Sequence, residues 1–203
     1  MNDYSHIKNG RDFLCLNQMP SDEPFEKIVD NSPKAPLFTI AIPTYKRIDT
    51  LKEALDSAIN QRCPITANWG GQNELCSLDS TNKPYEIIVV ENCDDFDSIS
   101  QTQRFLMEYY ADKITYYKNK RNLGLFGNWN QCLKLAKGKW VCVLHDDDIL
   151  LPNYLERMMW AVENVAPNTS LISSRPIFFG NLDLFGITKE DTTTFKYYLK
   201  NTL

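Results

Sequence analysis

Asp146, Asp147 and Asp148 stand together, directly after the apolar run Trp140-Val141-Cys142-Val143-Leu144 and His145, and just before Ile149-Leu150-Leu151-Pro152. Adjacent carboxylates repel one another, and partial burial raises the cost of keeping each ionised. Such a triplet persists where a cation or hydrogen-bond donors offset its charge. A hard divalent ion, magnesium or manganese, is a natural partner, because it takes oxygen ligands and completes its shell with water and substrate phosphates. A solvated acidic turn that favours the dipole of a following helix would read the same way in sequence.

The elements that must position these acids can be read from periodicity. Trp140 to Leu144 is short, β-branched and aromatic, bounded by Gly138, and reads as a buried strand of a parallel sheet. Pro152 suits the first turn of a helix carrying Leu155, Met158, Met159 and Val162 on one face. The acids therefore fall where a strand hands over to a helix, the edge at which open α/β sheets bind ligands.

The same pattern recurs upstream. Phe38 to Ile42 reads as a strand ended by Pro43, followed by a capping-box pair, Thr50 and Glu53, and a helix with Leu51, Ala54, Leu55, Ala58 and Ile59 inward. Glu86 to Val90 reads as a second strand running into Glu91-Asn92-Cys93-Asp94-Asp95, with Ile99, Phe105, Leu106 and Tyr109 on the next helix. Ile114 to Tyr117 reads as a third strand, Asn122-Leu123-Gly124 as a loop, and Trp129, Cys132, Leu133 and Ala136 as a helix closed by Gly138.

Strand and helix alternate, which predicts an α/β fold with a mostly parallel sheet, helices on both faces and right-handed crossovers. Three polar strand ends would then share one edge: Pro43 to Arg47, Glu91 to Asp95, and His145 to Asp148. An aromatic face, an amide among acids and a candidate metal cluster converging there suit a nucleotide diphosphate.

Bulk properties narrow the classes. A chain of 203 residues can bury one sizeable core, and one domain is expected over 36–203. Residues 1–35 read as an irregular leader with room for a short helix near Phe25 to Val29, and residues 61–84 read as an insertion loop. The formal charge of -4 gives no reason to invoke nucleic acid. Lys118, Lys120 and Arg121 form a short basic patch that suits either phosphates or a solvated loop.

No run approaches the ~20 apolar residues of a membrane span, and residues 1–35 lack the apolar core of a secretory signal, so a cytoplasmic chain is expected. Cys15, Cys63, Cys76, Cys93, Cys132 and Cys142 are scattered, with no CxxC pair, and read as reduced thiols that mostly pack.

Four segments, in order, resemble the family 2 glycosyltransferases of the GT-A fold, which move a sugar from a nucleotide donor, usually with inversion. Phe38 to Arg47 (FTIAIPTYKR) resembles the family's first strand and nucleotide loop, Glu86 to Asp95 (EIIVVENCDD) its second, and Lys139 to Pro152 (KWVCVLHDDDILLP) its metal-site strand. Arg121 to Gly138 (RNLGLFGNWNQCLKLAKG) resembles the loop and helix between them, so that the likeness covers roughly residues 37–165.

The resemblance implies that Pro43, Thr44 and Tyr45 line the base and ribose, with the Tyr45 ring either against the base or at the surface of a turn. It implies that Asp147 is a metal ligand, helped by Asp146 or Asp148, and that Asp146 faces the donor sugar or ribose. Asn92 stands where the family usually has an Asp that accepts from the base, and His145 where it has the leading Asp of the acidic motif. His145 can ligate a metal, bond a phosphate, or orient and pack. Arg121 and Lys120 are placed to meet the diphosphate or solvent, Asn130 matches a recurring family Asn, and Trp129 reads as core.

By the same resemblance, the partners are a nucleotide-diphosphate sugar and a saccharide or lipid-linked acceptor. That is the setting of cell-surface polysaccharide or glycolipid synthesis, with peripheral membrane association at the inner face and homo-oligomerisation both compatible. A carboxylate base should deprotonate the acceptor hydroxyl. Asp183, Glu190 and Asp191 are the only late acids, none in a matching context, so no base is assigned and the acceptor half is expected to be incomplete. A nucleotide-sugar-binding module without turnover is the alternative reading.

Overall fold

The computed structural model describes residues 25–62 and 83–174. Along the chain it forms β1 (Phe25–Val29), β2 (Phe38–Thr44), α1 (Ile48–Ile59), β3 (Tyr85–Glu91), α2 (Gln101–Tyr109), β4 (Thr115–Asn119), α3 (Gly124–Leu135), β5 (Trp140–Val143) and α4 (Tyr154–Asn164). The expectations on residues 1–24, nearly all of the 61–84 insertion, Cys15, Cys63, Cys76 and the late acids Asp183, Glu190 and Asp191 lie outside the described residues. The chain divides into two compact units, Met1–Met159 and Trp160–Leu203. The sheet and all the residues of the candidate site belong to the first. Among the described residues no helix is long and apolar enough to cross a membrane.

The sheet follows from two fully buried strands. Every residue of β2 (FTIAIPT) and β3 (YEIIVVE) is buried, as expected where helices cover both faces of a parallel sheet. The strand order is β1-β4-β3-β2-β5, with β4, β3, β2 and β5 parallel. On one face Ala41, Ile88, Val90 and Tyr117 pack with Cys132 of α3. The alternate residues Ile40, Ile42 and Val89 point the other way, toward the side that takes the buried stripe Leu51, Ala54, Leu55 and Ala58 of α1. Burying each large aliphatic here contributes about 1.5–3 kcal/mol.

Phe25 to Val29 forms a strand, not a short helix, and the expected irregular leader gives way to it. β1 pairs antiparallel with β4, Phe25 opposite Asn119, with an irregularity between Lys27 and Val29. A five-residue helix could not offset its own nucleation cost, whereas the open edge of β4 supplies backbone partners. The Phe25 ring adds an edge-on contact to Tyr117 at 5.6 Å.

The capping box does not form. The turn out of β2 is completed in three residues, so α1 begins at Ile48 after Arg47, and Thr50 lies inside the first turn. Gly138 does not close α3, which ends at Leu135. It is required instead where the chain passes β2: a Cβ there would meet Thr39 N at 2.5 Å and the Phe38 carbonyl carbon at 2.6 Å. Its amide donates to Thr39 Oγ1 (2.8 Å), and Thr39 donates to the buried Glu86 (2.6 Å).

Leu106, expected on α2, is buried there together with Thr102, whereas Ile99, which lies ahead of the helix, Tyr109 and Leu133 are exposed. β5 is only partly buried, because among the described residues it has β2 alone as a partner. The basic patch is not one surface. Lys118 is buried, and its ammonium donates to the carbonyls of Phe96 (3.0 Å) and Ser98 (2.6 Å), leaving Lys120 and Arg121 exposed.

Candidate functional site

From β2 the chain steps through β3 to β4 in one direction, then returns to place β5 on the other side of β2. The order therefore reverses between β2 and β5, the position at which open α/β sheets offer a ligand crevice outside the carboxyl ends of their strands. Ala41 is level with Val143. Continued past the end of β5, that register brings Asp146 level with Thr44, and the Thr44 hydroxyl donates to Asp146 Oδ2 at 2.8 Å.

Past the strand, the Asp148 amide donates to the His145 carbonyl (3.1 Å), closing a turn over the acidic residues. The turn separates them. Asp146 points inward and is only 7% exposed. Burial pushes its carboxyl above the ordinary value, opposed first by the Thr44 hydroxyl and then by Arg47. Asp147 and Asp148 point outward with His145, and one ligand atom from each of these three lies within 4.8 Å of the others.

The surroundings hold that turn in place. The His145 ring stands edge-on to half-buried Trp129, centroids 4.6 Å apart, and Trp129 in turn meets Phe126 at 5.4 Å. Beyond the triplet, Leu150 N donates to Ser57 Oγ (3.1 Å), Gln61 Nε2 donates to the Leu151 carbonyl (2.9 Å), and Leu155 N donates to Gln61 Oε1 (3.0 Å). The acids are thus tied to the C-terminal end of α1 as well as to β2. One imidazole nitrogen and two carboxylates form a donor set that fits a divalent ion such as manganese, which accepts both atom types.

The turn out of β2 supplies the opposite charge. Lys46 adopts φ 57°, a left-handed conformation rare outside glycine, and this sharp reversal sends Tyr45, Lys46 and Arg47 along the crevice edge. Arg47 Nη1 lies 2.7 Å from Asp147 Oδ2 and 3.6 Å from Asp146 Oδ1. Tyr45, 37% exposed, donates its hydroxyl to Asp94 Oδ2 at 2.7 Å. Lys46 Nζ reaches the same oxygen at 2.5 Å, and Asn122 Nδ2 reaches the other at 3.2 Å. Lys46 first, then Tyr45 and Asn122, hold the Asp94 carboxyl down at about 2.

Asn92 faces inward. Its Oδ1 accepts from Asn119 Nδ2 (2.9 Å) and Leu123 N (3.2 Å), and its Nδ2 donates to the Gly124 carbonyl (3.0 Å). Asn119 also donates to Asn128 Oδ1 (2.9 Å), and Asn128 donates to the Val90 carbonyl (3.0 Å). A carboxamide oxygen has two lone pairs, so both of Asn92's are taken.

Of the residues singled out in sequence, Thr44 and Asp146 are joined directly, and Asp147 and Asp148 are gathered with His145. Tyr45 lies at the mouth. Pro43 is buried within β2, Asn92 is buried at the end of β3, and Arg121 is exposed just beyond β4. Arg47 and Asp94 were quoted within motifs but given no role. The signal for Arg47 was a cation at one strand end in a chain whose acids cluster at another.

The chain matches the family model described as Glycosyl transferase family 2 over residues 39–201. It is 29% identical to an uncharacterized glycosyltransferase of Methanocaldococcus jannaschii over 132 residues, 64% of this chain and 38% of that one. It is likewise 29% identical to the putative colanic acid biosynthesis glycosyl transferase WcaA of Escherichia coli, over 59% of this chain and 36% of that one. Among solved structures, S. aureus TarS 1-349 in complex with UDP-GlcNAc aligns with a TM-score of 0.46 and 23% identity, over 62% of this chain and 31% of that one. The chain spans well under half the length of these relatives.

Proposed function

The chain belongs to glycosyl transferase family 2, and on that premise we propose that it forms the donor side of a metal-dependent glycosyltransferase, moving a sugar from a nucleotide diphosphate to an acceptor hydroxyl with inversion. The observation that carries this is the convergence at the switch point: Thr44 joined to Asp146 across the β2/β5 crevice, with His145, Asp147 and Asp148 gathered at its rim.

The parts divide the work. Asp147 and Asp148, with His145, would hold the cation, which when bound offsets the charge that develops on the leaving diphosphate. Asp146, fixed by Thr44, presents its remaining oxygen toward the ribose or donor sugar. Tyr45 offers a ring for the base, steadied by Asp94. Asn92, with its oxygen engaged twice, would meet a base through an N–H, which fits a base carbonyl better than a ring N–H. Arg121 is the cation proposed for the diphosphate from the β4 side. The acceptor is a saccharide or a lipid-linked sugar of a surface polysaccharide or glycolipid. The relative named for colanic acid synthesis supports that class, and a lipid-linked acceptor would put the work at the cytoplasmic face of a membrane.

The test is calorimetric titration of the chain with uridine, guanosine and cytidine diphosphates and their sugars, with and without manganese, followed by donor hydrolysis. Manganese-dependent binding to at least one diphosphate with slow hydrolysis is expected. Binding without hydrolysis would leave a donor-binding module. Absence of binding to every nucleotide would sink the reading.

A further inference from the structure

The Arg47 side chain lies at the carboxyl edge of the sheet, against two of the acids. The residue immediately precedes α1, and its side chain is 57% exposed. What it does is neutralise acids: its Nη1 is 2.7 Å from Asp147 Oδ2 and 3.6 Å from Asp146 Oδ1. Asp147 is also one of the three residues whose ligand atoms gather within 4.8 Å. One carboxylate therefore has two cationic claimants, a guanidinium that belongs to the chain and a divalent ion that does not.

We propose that Arg47 is the built-in counter-ion of the metal set, released from Asp147 when the divalent cation binds and taken up by the donor's diphosphate. The inference rests on the metal reading above and adds a coupling that the reading does not contain. Without the cation, Arg47 keeps Asp146 and Asp147 from facing each other uncompensated, and so preserves the turn. With the cation, the charge on Asp147 is satisfied from the other side. The guanidinium, planar and always protonated, then becomes a fork suited to phosphate oxygens. Its position at the start of α1 keeps it at the carboxyl edge throughout, since only the side chain has to move.

Two consequences have opposite sign. Arg47 competes with the cation, so removing it should tighten binding of the cation alone. Arg47 assists the diphosphate, so removing it should weaken binding of the nucleotide in the presence of the cation. A residue that merely held the loop together would weaken both.

The experiment compares the full chain with Arg47→Met and Arg47→Lys. Free manganese is followed by its electron paramagnetic resonance signal as protein is added. Uridine and guanosine diphosphates are then titrated at fixed manganese by calorimetry, and thermal melting by circular dichroism checks that each variant is folded. Arg47→Met should bind manganese alone about 2–5-fold more tightly, the scale of an exposed ion pair. It should bind the preferred nucleoside diphosphate about tenfold or more weakly, the scale of a charge-assisted hydrogen bond. Arg47→Lys, which keeps the charge and loses the fork, should fall between on both measures. Manganese affinity unchanged or reduced in a folded Arg47→Met overturns the inference and leaves the metal reading standing. Absence of manganese binding in every protein overturns the metal reading and the inference together.

Discussion

The ends of β3 and β4 and the ends of β2 and β5 lie on one edge of one sheet, yet they handle polar groups in opposite ways. Around β3 and β4, Asn92, Asn119 and Asn128 of α3 are buried and neutral, and each donates hydrogen bonds within the chain, with the Asn119 Oδ1 left without a partner among the described residues. At β2 and β5, Arg47, Asp147 and Asp148 are exposed, and Arg47 and Asp147 are held by an ion pair that a competing ion can replace. Buried amides cost free energy unless paired and so make a fixed support. Exposed ion pairs contribute little to stability and exchange easily. The edge is therefore half lock and half socket, and substitutions on the two halves should be separable into stability effects and binding effects.

The largest expected effect is on the socket. Asp147→Ala removes a proposed metal ligand and no packing, so manganese-dependent binding of the preferred nucleoside diphosphate should fall by more than about 100-fold, beyond what loss of an outer-shell partner costs a metal site. The melting temperature should stay close to that of the parent. Titration calorimetry and a thermal melt on the same sample check both halves. A variant that unfolds, or one that keeps its manganese dependence, breaks the division.

Next comes the lock. Asn119→Ala deletes both amide donors and orphans the buried Asn128 oxygen, for a loss of about 2–3 kcal/mol in urea unfolding. Well below the unfolding transition, manganese affinity should be unchanged. A parallel loss of manganese affinity in the folded protein would show that the two halves are coupled.

Asn92→Asp sharpens the comparison because it puts a charge into the lock. A carboxylate keeps the acceptor role toward Asn119 and Leu123 but sets an oxygen against the Gly124 carbonyl. Destabilisation of about 1–3 kcal/mol is expected, again read by urea unfolding. Where the variant remains folded, a changed ranking of uridine over guanosine diphosphate would place residue 92 at the base, and an unchanged ranking would confine it to the lock.

How much of this was legible in sequence depended on how local the physics was. β2 and β3 could be read because strands buried on both faces are apolar runs. The acidic triplet could be read because like charges side by side need a partner. Which carboxylate turns inward could not be read, because it depends on the register between β2 and β5, contacts a hundred residues apart in the chain. The Asn lock was hidden for the same reason: Asn92, Asn119 and Asn128 meet only after β3, β4 and α3 assemble. Lys118 looked like surface because hydropathy does not know that the Phe96 and Ser98 carbonyls will meet its ammonium. Phe25 to Val29 is undecided by itself and becomes a strand because β4 offers an edge. Thr50 and Glu53 carried a valid local signal that lost to a turn completed earlier.

The smallest expected effect tests the hinge between lock and socket, where Asp94 at the end of β3 holds Tyr45 and Lys46 at the end of β2. Its carboxyl is held at about 2, below its ordinary 3.8, with Lys46 the first cause. A depressed folded value means that the interaction is fully present above the ordinary value and is lost as pH falls through about 2. The group is exposed, so the effect on overall stability should be slight. The carboxyl carbon shift of Asp94 in NMR should therefore titrate near 2, and in Lys46→Met the midpoint should move up toward 3.8. A midpoint already near 3.8 in the parent would mean that Tyr45 is not steadied from β3. The ring would then have to be ordered by the nucleotide itself, and the two halves of the edge would meet only when the donor is bound.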